Sequence, residues 1–191
     1  MTGLRARSVA LVAALGLGSG CDDTAPPVSD PPPLAEAWVE LVTPDAWAST
    51  PAADDPLGDH APPEASCPEG SWLIASGIVD VDTGTCSYLS VAAPASRAVA
   101  EGALLRWRLW HLDLFANPPA TAHVALLVDD DVWWEREIAI PSAARLYDIE
   151  LRAPQALKKG ALVRIHLHNH GVNEWRFAAP EIQANTEERS R

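Results

Sequence analysis

Long apolar runs are scarce in this 191-residue sequence, and none reaches the roughly 20 residues that a membrane-spanning helix needs. Lysine is almost missing: Lys158 and Lys159 are the whole complement, and arginine carries the rest of the basic charge. With 14 basic residues against 26 acidic ones the formal charge is −12. That balance argues against nucleic acid as a partner and against an anionic lipid surface, since both would repel the chain. Also missing are Gly-x-Ser-x-Gly, His-Glu-x-x-His and a phosphate-binding loop, so the expectation is a protein without catalytic activity. Cysteine is limited to Cys21, Cys67 and Cys86.

The first 21 residues hold most of what the sequence says about location. Arg5 and Arg7 precede an apolar run from Val9 to Leu17, followed by Gly18-Ser19-Gly20-Cys21. This is the order of a basic, an apolar and a small-residue region in an export signal. Ending on Gly-Ser-Gly-Cys, it resembles the type II signal peptide of a bacterial lipoprotein, with Gly18 where that pattern usually has leucine. The resemblance implies removal of residues 1–20 and lipidation (diacylation) of Cys21 as the mature N-terminus. The protein would then be exported and held to a membrane by lipid, at the periplasmic face or the cell surface. Asp22, directly after the cysteine, resembles an inner-membrane retention signal of some Gram-negative bacteria. Without residues 1–20 the chain keeps 12 basic residues against 26 acidic ones, a charge of −14.

Once Cys21 is set aside, Cys67 and Cys86 remain in an exported chain, where oxidising conditions favour a disulfide over two free thiols. A zinc site is the weaker reading, because neither belongs to a Cys-x-x-Cys pair.

Residues 21–36 are rich in proline and aspartate, which makes them an extended, solvated tether rather than packed structure. Residues 37–70 form a loop-rich lead-in: eleven of the chain's 17 prolines fall between Pro26 and Pro68. The compact fold is expected over 71–184, with 185–191 as a C-terminal tail. Within 71–184 the pattern turns to period two in short segments closed by turn residues. Strands are predicted near Ile74–Asp82, Thr85–Ala92, Leu104–Leu114, Ala122–Val128, Val132–Ile140, Arg145–Arg152, Ala161–His168 and Glu174–Ile182. About eight strands at this spacing predict an all-β protein, an antiparallel β-sandwich or jelly roll.

Three features could carry chemistry. In Arg164-Ile-His166-Leu-His168-Asn-His170, three histidines recur at period two and would project from one face of a strand. They are candidate metal ligands, with a further donor from His111, His123 or the Asp129-Asp130-Asp131 run. The competing reading makes Asn169-His170-Gly171 a turn and the other two ordinary strand residues. The second feature is tryptophan: Trp133, Trp134 and Trp175 are candidate stacking surfaces for a sugar ring, against the commoner role of core aromatics. A carboxylate pair drawn from Asp113, Glu135, Glu137 or Glu150 is unspecific, and the aspartate run reads best as a solvated hairpin turn rather than a calcium loop.

The closing half, with His111, Ala122-His123-Val124-Ala125, Trp133-Trp134-Glu135 and His168-Asn169-His170-Gly171-Val172-Asn173-Glu174-Trp175, resembles the carbohydrate-binding-module style of jelly roll. That resemblance implies a non-catalytic, lipid-anchored sandwich binding a ligand such as a glycan, or an envelope protein. The alternative is a metal-binding protein or metalloenzyme using His166, His168 and His170.

Overall fold

The computed structural model of the protein describes residues 37–184; Cys21, the tether and the C-terminal tail lie outside the described residues. Among the described residues there are twelve strands: β1 (Trp38–Glu40), β2 (Ala48–Ser49), β3 (Trp72–Ala75), β4 (Ile78–Asp82), β5 (Tyr88–Pro94), β6 (Leu104–His111), β7 (Ala120–Val128), β8 (Asp131–Ile140), β9 (Arg145–Arg152), β10 (Leu162–Asn169), β11 (Glu174–Ala178) and β12 (Glu181–Gln183). All pair antiparallel. One sheet runs β1-β12-β6-β11-β4-β3, with β9 on the other edge of β6, and the second runs β2-β5-β10-β7-β8.

The sandwich follows from alternation. Leu105, Trp107 and Leu109 of β6, Val79 and Val81 of β4, and Trp175 and Phe177 of β11 are fully buried. They meet Val163, Ile165 and Leu167 of β10, Leu89 and Val91 of β5, and Val124 and Leu126 of β7 in one core. Burying each such side chain is worth about 1.5–3 kcal/mol.

Two predicted strands are each broken in two. Ser76 and Gly77 take positive φ (52° and 79°) and turn the chain between β3 and β4, a conformation that glycine adopts without cost. Pro180, which has no N–H to give to a ladder, separates β11 from β12.

The lead-in is a correction. Its prolines place it outside the compact fold, yet β1 joins the edge of the first sheet and β2 the edge of the second. Leu41, Val42 and Trp47 are buried in the core. The segment after β2 then crosses the outer face of the five-stranded sheet as a strap with two short 3-10 turns, Ala52–Asp54 and Gly58–His60. At its far end, Cys67 and Cys86 are joined by a disulfide (S–S 2.01 Å). No helix among the described residues is long and apolar enough to cross a membrane.

Candidate functional site: a histidine cluster under the strap

On β10 the odd positions face the core, so Arg164, His166 and His168 face the other way. Antiparallel register sets His166 opposite Ser90 of β5 and Ala125 of β7, and His168 opposite Tyr88 and His123. An outer face normally meets water. Here the strap covers it, and His166 has no exposed surface.

Asp55 of the strap is the anchor of this contact. Its Oδ2 accepts hydrogen bonds from His166 Nδ1–H and from the Tyr88 hydroxyl, each at 2.9 Å, and its Oδ1 accepts the Leu57 N–H at 2.9 Å. Burial by itself would raise the Asp55 pKa. The hydrogen bonds from His166 and Leu57, with that from Ser90, outweigh it and hold the carboxyl well below the usual range. Burial, then the Asp55 hydrogen bond, push the Tyr88 phenol upward. A buried carboxylate needs a counter-charge. Arg164, 4 % exposed, brings a positive charge to the same covered face, donating from Nη1 to Ser90 Oγ at 3.0 Å and to Thr50 Oγ1 at 2.6 Å.

His166 is held neutral by its burial, which lowers its pKa against the opposing pull of Asp55. Its one proton sits on Nδ1 and points at Asp55. That leaves the Nε2 lone pair, which is buried and has no hydrogen-bond partner. Orphaned polar atoms of this kind cost about 1–3 kcal/mol.

His123 repeats the arrangement from the sheet. Its Nε2 lies 3.0 Å from Glu135 Oε2, so that N–H is spoken for and Nδ1 points to the strap. Nδ1 in turn faces Nδ1 of His60, at the end of the strap's second turn, at 3.0 Å. One nitrogen each from His60, His123 and His166 lie within 4.8 Å of one another. Imidazoles on zinc sit about 2.0–2.1 Å from the ion, hence roughly 3.4 Å apart at a tetrahedral angle, a spacing that these distances bracket. Two of the three rings donate their remaining N–H to a carboxylate, the support that orients metal-bound histidine.

Of the predicted ligands, His166 belongs to this cluster; His168 and His170 stand beside it. They line a cavity of about 250 Å³ with His60, His123, Thr121 and Glu137. His168 is half-buried, its Nε2 unpartnered, and burial followed by the neighbouring histidines lowers its pKa to about 4. His170 is exposed. His111 is a correction: it is buried in the first sheet, donates Nδ1–H to Leu112 O at 2.7 Å, and shares no face with the cluster. The aspartate run forms the β7–β8 turn, where Asp129 caps the Leu162 N–H. His60 and Asp55 were missed. They lie in proline-rich sequence with no periodicity, and only long-range packing brings them to the sheet.

The tryptophans also differ from expectation. Trp175 is fully buried and Trp133 is 9 % exposed, so neither offers a ring face to a sugar. A β-bulge between Leu126 and Leu127 leaves Trp133 without a cross-strand partner. Trp134 is half-buried with its ring edge-on to Trp107, and it borders a groove of about 380 Å³ with Tyr147, Arg136, Arg145, Asp148 and Glu150.

No family model matches the chain, and no curated protein matches it. Among solved structures, it is similar to one titled "CBM4 structure and function" at 12 % identity and a TM-score of 0.42, over 75 % of this chain and 89 % of that one. The N-terminal cellulose-binding domain of Cellulomonas fimi β-1,4-glucanase C gives 10 % and 0.42, over 78 % and 95 %. The K3 adhesin domain of Lys-gingipain from Porphyromonas gingivalis gives 14 % and 0.42, over 78 % and 100 %.

Proposed function

We propose that this chain is an exported, non-catalytic β-sandwich, tethered by lipid at Cys21, that binds a divalent transition metal of the zinc or copper type through His60, His123 and His166. The observation that carries the reading is the buried, unpartnered Nε2 of His166 beside the paired Nδ1 atoms of His60 and His123. An all-imidazole donor set suits zinc and copper better than calcium or magnesium, which take oxygen. The test is metal analysis of the full chain purified without an affinity tag, with His123→Gln and His166→Gln as controls. One equivalent of zinc or copper in the parent and none in either variant supports the reading; a metal-free parent that takes up neither ion overturns it.

A second ligand reading, a glycan, rests on the Trp134 groove, where a half-buried aromatic borders charged hydrogen-bonding groups. A glycan array run on the parent and on Trp134→Ala tests it: binding lost in the variant supports it, and no binding by the parent removes it.

A further inference from the structure

The metal reading leaves two imidazoles without a task. The strap closes over His166, and the cavity of about 250 Å³ that adjoins the cluster has His168 and His170 in its wall. His168 lies directly across from His123 in the β10–β7 register, so the two side chains share a face about 5 Å apart at Cβ. Its Nε2 is buried with no hydrogen bond, which gives it no structural partner to serve. The His170 ring meets the His168 ring edge-on, with centroids 4.4 Å apart, and is exposed.

The turn that presents His170 is fixed. Asn169 donates its side-chain N–H to Gly171 O, and its backbone N–H to Ser87 O at 2.9 Å. A Cβ at Gly171 would stand 2.7 Å from Ile140 Cδ1 and 3.1 Å from Phe115 O, so glycine is what lets the turn pack this closely. His170 is therefore held at the cavity rim rather than swinging free. His60 and His170 are both exposed at the rim of this cavity, His168 is half-buried in its wall, and His166 lies beneath with no exposed surface.

We propose that His168 and His170 are an exchange pair, taking a zinc or copper ion at the rim and handing it to His60, His123 and His166. The inference rests on the metal reading above. An ion crossing such a wall swaps water for one imidazole at a time and is never stripped of ligands at once. No electrons move, and each ring contributes a lone pair. A step placed on the path lowers the barrier for entry and exit alike, so it changes both rates and leaves the equilibrium alone.

The experiment compares the full chain with His168→Gln/His170→Gln and with His170→Gln alone, using zinc and a chromogenic chelator. Equilibrium competition gives Kd, and stopped-flow mixing gives the rates of loading and of loss. The expected result is a Kd within about twofold of the parent, with both rates about tenfold slower in the double variant, the effect of about 1.4 kcal/mol added to the barrier. His170→Gln, a change at an exposed turn, should slow both rates in the same direction and covers the case in which the double variant fails to fold. Unchanged rates overturn the proposal while the metal reading stands. So does a weakened Kd carried by faster loss alone, which would make the pair part of the resident site. A parent that binds no zinc or copper overturns the metal reading itself.

Discussion

Asp55 and His166, 111 residues apart in the chain, meet at 2.9 Å with both side chains fully buried. The contact ties the strap to the sheet and fixes which nitrogen of His166 carries the proton. Asp55→Asn would keep the shape and lose the charge that orients the ring. On the metal reading, its affinity for zinc should fall about 10- to 100-fold, as when the outer-shell partner of a ligand is removed. Chelator competition measures this, and an unchanged affinity would count against the cluster as the metal site.

The strap is closed at its end by Cys67–Cys86, 19 residues apart. Replacing both by serine should lower the unfolding free energy by about 3 kcal/mol in the chain-entropy model. Urea titration of the parent and the variant, both without added reductant, reads the difference.

His111 and His168 both have lowered pKa values, His111 from burial first and His168 from burial first, to about 4. Unfolding returns them to about 6.5, so the unfolded chain binds more protons than the native one below that pH. Stability of the metal-free protein should therefore fall as pH drops from about 6.5 toward 4. Asp55, held low, adds its own loss only below its ordinary value of 3.8. Thermal midpoints across pH 4–7 check the direction; a midpoint that rises on acidification would contradict it.

The tryptophans separate core from surface. Trp175→Ala empties a site with no exposed surface and should cost about 3–5 kcal/mol. Trp134→Ala, at a half-buried edge, should cost less. Equal losses in denaturant titrations would show that the Trp134 edge is as tightly packed as the core.

Membrane attachment is expected to depend on Cys21 alone. Cys21→Ser should move the protein to the soluble fraction after a carbonate wash, and a variant that stays with membranes would contradict the lipid anchor.

Much of the sandwich was legible because alternation is local. The buried odd positions of β6 and β10 follow from apolar residues two apart, and the disulfide follows from two cysteines left in an exported chain. The breaks at Ser76-Gly77 and Pro180 are hidden by the apolar runs that continue on either side of them. The site was half legible. Period two set His166 and His168 on one face, but whether an outer face is wet depends on what lies across it. Asp55 and His60 come from the strap, and nothing in a proline-rich stretch says which distant strand it will cover. Trp133 and Trp134 are candidate stacking rings by residue type, but the bulge opposite them breaks the alternation that would set one of the two in solvent.

The pairing of β1 with β12 sets Trp38 beside Gln183, with Cα atoms about 5 Å apart. A short linker could join these two ends without rearranging either sheet. New ends cut at Lys159-Gly160, in an exposed turn, would then give a circularly permuted sandwich that keeps the strap between β2 and β3.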